Sequence, residues 1–171
     1  MLSGLNTVLK KRYFKLGAEI VVVLAVYLAI KSFMQRDLID GPVPSFEGML
    51  LEGQSFNIQS YQGKPVLLHF WATWCSICKM EENSIASISE DYEVITVAMN
   101  SGNDVEITAY LEEQGLSFPV VIDEEGAVAE RFGVSAVPTS FIIDPNANIT
   151  FTEVGYTSEL GLRLRLWLAG W

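Results

Sequence analysis

The chain of 171 residues contains only two cysteines, Cys75 and Cys78. Their spacing places two thiols one helical turn apart, close enough for the second to attack a mixed disulfide formed at the first. A pair of this kind is suited to reversible thiol–disulfide exchange. Three other uses stand beside it. A structural disulfide of this spacing would staple almost nothing. Half a zinc site would need a second Cys/His pair, and His69 is the only histidine. Two soft thiolates could also hold copper(I). Redox exchange is the favoured reading.

The elements around the pair must present it. Val66–Trp71 (VLLHFW) is an apolar run interrupted only at His69, the pattern of a strand buried on both faces. It leads into a helix expected from Ser76 to Tyr92, where Ile77, Met80, Ile85 and Ile88 recur at roughly helical spacing. Cys75 at the start of that helix would face free backbone amides and the positive end of the helix dipole, which favour a thiolate.

Downstream, strands are expected at Glu93–Met99, Phe118–Ile122, Ser140–Asp144 and Ile149–Val154. A helix is expected over Asp104–Gln114, with Asp104 as its N-cap and Gly115 as its stop, and a short one over Gly126–Phe132. Upstream, Phe46–Leu51 and Ser55–Ile58 read as short extended segments. The closing stretch is ambiguous: Leu160, Leu162, Leu164, Leu166 and Leu168 alternate as in a strand, while Leu160, Leu164 and Leu168 also stack at i, i+4. A cap at Thr157 or Ser158 and the terminal Ala169-Gly170 favour a helix. Strands alternating with helices, then two adjacent strands and a last helix, predict an α/β fold with a mixed central sheet covered on both faces.

Charge divides the chain. Residues 1–36 carry six basic groups and one acid, a balance of +5. Residues 37–171 carry five basic and twenty acidic groups, −15, for a total of −10. An acidic body argues against nucleic-acid binding, which needs cations to replace phosphate counterions. Residues 16–34 include the uncharged run Ile20–Ile30 and are near the roughly 20 residues that span a bilayer as a helix. Lys10, Lys11, Arg12 and Lys15 precede the run and would keep the N-terminus in the cytoplasm. No small-x-small triplet follows it, so an uncleaved anchor is favoured over a signal peptide. The expected organisation is a basic cytoplasmic segment at 1–15, a transmembrane anchor at 16–34, a linker at 35–44 containing Pro42 and Pro44, and a compact domain at 45–171.

Phe70-Trp71-Ala72-Thr73-Trp74-Cys75-Ser76-Ile77-Cys78 resembles the active site of thioredoxin-fold proteins. Together with Gly63-Lys64-Pro65, Phe118–Asp123 and Gly133–Phe141, it resembles the membrane-tethered TlpA/ResA-like branch. Gly161–Trp167 resembles the suppressor-of-copper-sensitivity D-type proteins of that branch. The resemblance implies a thioredoxin fold, with Cys75 as exposed nucleophile and Cys78 as resolving thiol. It implies that Val137-Pro138 forms the cis-proline loop opposite the dithiol, and that Val137 backbone groups pair with an extended substrate. Trp74 would cover the rim, Ser76 and Ile77 would tune the potential, and Glu81 matches an acidic position that tunes the cysteines in some relatives. Three positions depart from the pattern. His69 stands where thioredoxins carry a buried Asp beneath the second cysteine. Asn83 replaces a proline that often kinks the active-site helix, which implies a straighter helix. Thr139 replaces the Glu usual in cytochrome c maturation members.

The expected function is that of a membrane-tethered protein disulfide oxidoreductase facing the periplasm. It would exchange electrons with partner proteins, as a reductant recharged by a membrane electron carrier, in the setting of copper tolerance. No organic cofactor or metal is implied, since the dithiol is the redox centre. Copper(I) delivery and reduction during cytochrome c maturation are the alternatives. A peroxidase is disfavoured, because Thr73 stands two rather than three residues before Cys75.

Overall fold

The computed structural model describes the backbone of residues 2–171 and the side chains of Lys15, 17–26, 28–30, Ser32 and 34–171. The chain divides into two compact units, residues 1–36 and 37–171.

The first unit is one helix, α1 (Leu2–Gln35). Among the described residues, no helix is long and apolar enough to cross a membrane. The expected anchor at 16–34 is therefore not recovered there. Leu16, Tyr27, Lys31 and Phe33 of that segment lie outside the described side chains, as do Lys10, Lys11 and Arg12 of the basic segment.

The second unit is built on a six-stranded sheet. Its strands are β1 (Gly41–Pro42), β4 (Val66–Trp71), β5 (Glu93–Met99), β6 (Val120–Asp123), β7 (Thr139–Ile143) and β8 (Asn148–Val154), in the order β1-β8-β7-β4-β5-β6. β4, β5 and β6 run parallel, while β7 is antiparallel to β4, and β8 to β7. The sheet is thus mixed, as the element order predicts. A separate hairpin pairs β2 (Glu47–Met49) with β3 (Ser55–Asn57).

The continuous apolar run of β4 is explained by its place in the sheet: all six of its residues are buried. Alternation sends Leu67 and Trp71 to one face and Leu68 and Phe70 to the other. On the first face they meet α2 (Glu82–Ser89), α3 (Asp104–Gln114) and α5 (Glu159–Ala169) through Ile85, Ile88, Ile107, Leu111, Leu162 and Leu166. On the second they meet α4 (Ala127–Arg131) and the N-terminal hairpin, where Phe46, Phe56, Phe70, Phe132 and Phe141 form an aromatic cluster.

Several boundaries differ from expectation for local reasons. Residues 37–44, expected within a linker, belong to the second unit. The Ile39 N–H donates to the Phe132 carbonyl, β1 pairs with β8, and Val43 is buried. Gly133 has φ +69°, and an added Cβ there would collide with the Asp37 carbonyl. The α3 N-cap is Asn103 rather than Asp104: its Oδ1 accepts from the Val105 and Glu106 amides while Glu106 returns a bond to the Asn103 N–H. The closing segment is helical with Ser158 as its cap. Its buried leucines, however, are Leu162 and Leu166, and the stacked set Leu160, Leu164 and Leu168 faces outward.

Candidate active site

β4 ends at Trp71, and the chain turns at once into the cysteines. The Cys75 N–H donates to the Ala72 carbonyl (3.1 Å), a tight turn at the C-terminal edge of the parallel strands. Cys75 is not the first residue of an α-helix, as the periodicity suggests. Cys78–Met80 forms a single 3₁₀ turn, and α2 begins only at Glu82. The Met80 and Glu81 amides bond three residues back, to Ile77 and Cys78, which tightens this stretch before the regular helix. The straighter helix expected from Asn83 is not found. The break falls at Glu81 without any proline, where the side chain is drawn into the interior and accepts from the Thr157 N–H (2.9 Å). The amide that faces the nucleophile is consequently that of Cys78, which donates to Cys75 Sγ at 3.1 Å.

Cys75 and Cys78 are joined as a disulfide. The peptide bond Val137–Pro138 is cis, and the Val137 carbonyl oxygen lies 3.5 Å from Cys75 Sγ. Sixty-two residues of sequence separate this pair, and β7 closes the gap by lying antiparallel to β4. Cys75 is not the exposed thiol that the resemblance implies: it is 6 % exposed against 3 % for Cys78. The exposed groups are those around it, Trp74 (63 %), Ile77 (45 %), Met80 (68 %) and Tyr156 (54 %), with Ser76 exposed as well. Trp74 is fixed by its indole N–H, which donates to the Asn100 carbonyl (3.0 Å). The loop carrying Tyr156 is tied to the site on both sides: Gly155 N–H donates to the Pro138 carbonyl, and Thr157 to Glu81. The dithiol therefore sits beneath an apolar rim open to another protein.

His69 and Glu81 meet in the interior. His69 shares a face of β4 with Leu67 and Trp71, and Glu81 follows Cys78 by one 3₁₀ turn. His69 Nε2 stands 3.8 Å from Glu81 Oε1, and both side chains are enclosed. Complete burial pushes the imidazole from its ordinary 6.5 to about 3, so the ring is neutral at physiological pH and the contact is not an ion pair. Burial raises the Glu81 carboxyl from 4.5 to about 7, and the hydrogen bond from Thr157 offsets part of that rise. Among the described buried side-chain atoms, Glu81 Oε1 and Trp71 Nε1 have no hydrogen-bond partner.

Every residue that the sequence singles out for the site lies on the segments just described. The cysteines, Trp74, Ser76 and Ile77 lie on the turn after β4, Val137 and Pro138 face them, and His69 and Glu81 lie beneath. Ser140 escaped notice in the sequence. It pairs in register with His69 across β4 and β7, and its Oγ lies 2.9 Å from His69 Nδ1. Its signal was a second polar residue interrupting a buried strand. Asn100, which holds Trp74 and adopts a positive φ of 47°, had no recognisable signal. Among the described residues, no group of three or more His, Cys, Asp or Glu side chains could hold a metal ion.

Comparison with known proteins agrees with this geometry. Residues 39–152 match the AhpC/TSA family. The chain is 32 % identical to a thioredoxin-like protein of Haemophilus influenzae over 161 residues, 93 % of this chain and 96 % of that one. It is 35 % identical to the thiol-disulfide oxidoreductase ResA of Geobacillus thermodenitrificans over 132 residues, 75 % and 76 % of the two chains. The crystal structure of an exposed lipoprotein thioredoxin from Streptococcus pneumoniae superposes with a TM-score of 0.63 at 30 % identity, covering 73 % of this chain and 99 % of that one. A dithiol set between a buried strand and a cis-proline loop, with this kinship, makes the chain a thioredoxin-fold thiol–disulfide oxidoreductase of the ResA type and a member of the AhpC/TSA family.

Proposed function

We propose that Cys75 is the nucleophile and Cys78 the resolving thiol in the reduction of disulfides in partner proteins outside the cytoplasmic membrane. The observation that carries this reading is the placement of Cys75 Sγ beside both the Cys78 amide and the Val137 carbonyl. The amide stabilises a thiolate, and the cis-proline loop offers backbone groups to an extended partner segment. In the reduced enzyme, Cys75 thiolate attacks one sulfur of the partner disulfide, and the other sulfur leaves as a thiolate. Cys78 then gives up its proton and attacks Cys75 Sγ. The Cys75–Cys78 bond forms, the Cys75–partner bond breaks, and the partner has gained two electrons. Glu81, ionising near neutrality, is the group that exchanges a proton with Cys78. Trp74, Ser76, Ile77, Met80 and Tyr156 shape the rim against which the partner rests.

The N-terminal helix is the tether in this proposal. Its support is the apolar run at 20–30, whose side chains from Ile20 to Leu24 are 53–68 % exposed, with the basic cluster before it. The positive-inside rule then puts the thioredoxin-like domain in the periplasm. A membrane electron carrier recharges the dithiol, and the likeness of Gly161–Trp167 to the copper-sensitivity suppressors favours copper tolerance as the setting. The test is Cys78→Ser expressed in the native membrane. It should trap a mixed disulfide through Cys75, in a carbonate-resistant membrane fraction, on a domain digested by protease added to spheroplasts. Failure to trap a partner, together with no exchange of the wild-type thiols with glutathione buffers, would overturn the exchange role. Stoichiometric copper(I) binding without insulin-disulfide reduction would favour metal delivery instead.

A further inference from the structure

One carboxylate oxygen of Glu81, three residues after Cys78, is enclosed: Oε1 has no hydrogen-bond partner. Leaving a buried acceptor unpaired costs about 1–3 kcal/mol, more for a charged one. His69 Nε2 lies 3.8 Å from it, and the other nitrogen of that ring lies 2.9 Å from Ser140 Oγ. Three groups thus follow one another across the ring: hydroxyl, imidazole, carboxyl. A hydroxyl both donates and accepts. A neutral imidazole donates from one nitrogen and accepts at the other, and its two tautomers exchange those roles.

We propose that His69 and Ser140 form a tautomer switch that gives Glu81 a partner in both of its ionisation states. When Glu81 carries a proton on Oε1, its O–H points to Nε2, and Nδ1–H donates to Ser140 Oγ. When Glu81 is ionised, the ring carries its proton on Nε2, facing the carboxylate, and the Ser140 O–H donates to Nδ1. The imidazole is neutral in both states. The two differ in total by one proton, the one that Glu81 takes from Cys78 as the Cys78 thiolate forms and attacks Cys75 Sγ, while the ring keeps one proton throughout and exchanges it between Nε2 and Nδ1. His69 is a positioning residue: it touches neither cysteine's partner nor the transferred electrons.

The other titratable groups of the surrounding elements are engaged elsewhere. Glu82 accepts from the Tyr110 hydroxyl, Lys79 lies over the Tyr110 ring, and Glu159 accepts from Ser87 and Arg163. Arg163 also pairs with Asp91, Glu153 with Arg165, and Tyr156 is exposed. His69 is left to face Glu81, whose backbone N–H donates to the Cys78 carbonyl. The shifts of the two buried groups agree with the switch, since a ring held near 3 stays uncharged while a carboxyl near 7 changes state.

The inference rests on the proton-exchange role given to Glu81 above, but its test does not require turnover. His69 is the only histidine, so its ring ¹⁵N signals in the oxidised full-length protein need no further assignment. Titrated across neutrality, the ring should pass from the Nδ1–H to the Nε2–H tautomer without becoming imidazolium. Its midpoint should coincide with that of the Glu81 carboxyl ¹³C signal. His69→Leu should lower the acid dissociation constant of Glu81 by about tenfold or more, because the ionised carboxylate loses its donor, and His69→Gln, whose amide can turn either way, should restore it. One tautomer at every pH, or protonation of the ring in step with Glu81, would overturn the switch. A tautomer change without any effect of Glu81→Gln on the pH dependence of exchange would leave the switch standing and remove the catalytic role of Glu81.

Discussion

Replacing Glu81 by Gln should expose a pH dependence of stability that the wild-type protein conceals. The carboxyl ionises at about 7 in the folded protein against an ordinary 4.5. Below 4.5 it is protonated in both folded and unfolded chains, and its stabilisation is fully present. Between 4.5 and about 7 only the unfolded chain releases the proton, so that stabilisation is lost as pH rises through the folded value. At about 1.4 kcal/mol per unit, the loss is roughly 3 kcal/mol. His69 acts in the opposite sense. Its folded value of about 3 lies below the ordinary 6.5, so the stability it contributes is present above 6.5 and is lost as pH falls towards 3. Between 4.5 and 6.5 the two slopes nearly cancel. Gln keeps the size of the side chain and an oxygen for the Thr157 N–H, but it cannot ionise. The variant should therefore gain stability steeply as pH rises to 6.5 and hold it above, where the wild type declines. The wild-type-minus-variant difference should fall by roughly 3 kcal/mol between pH 4.5 and about 7.5. Urea unfolding of the oxidised protein, followed by tryptophan fluorescence over that range, reads the difference directly. A difference that stays constant with pH would refute the account of Glu81 as a carboxyl kept neutral by burial.

Three further substitutions probe the scaffold. Phe70→Ala should destabilise the domain by roughly 3–5 kcal/mol in urea, because Phe70 is fully buried and its ring packs on Phe132 and Phe141; a loss below about 1 kcal/mol would deny that this cluster anchors the sheet. Asn103→Ala removes the side-chain half of the α3 capping box, leaving the backbone N–H that donates to Glu106, and should cost about 1 kcal/mol, whereas Asp104→Ala, at the position that merely resembles the cap, should cost less.

Where local pattern and burial coincide, the elements were legible. Val66–Trp71, Glu93–Met99 and Asp104–Gln114 appear in the structure with the bounds expected of them, because uninterrupted apolar runs and helical caps act over a few residues. The segment after the dithiol was not legible. Its apolar spacing describes a helix from Ser76, but the demand of a buried Glu81 side chain for the Thr157 amide, 76 residues away, reshapes that turn. The leucines of α5 show the same limit. Alternation and i, i+4 stacking both name sets of leucines, and only docking against the sheet decides that Leu162 and Leu166 go inside.

The sequence by itself determined the dithiol and the strand that delivers it, since each is written in contiguous residues with strong local preferences, while the antiparallel pairing of β7 with β4 decided that Pro138 faces them. The tertiary structure alone decided what lies beneath. His69, Glu81 and Ser140 come from three separate elements, and no periodicity relates them. They meet because β7 pairs with β4 in one particular register and Glu81 turns inward. Burial then moves the proton affinities of His69 and Glu81 in opposite directions, a consequence of desolvation that a list of residues does not contain.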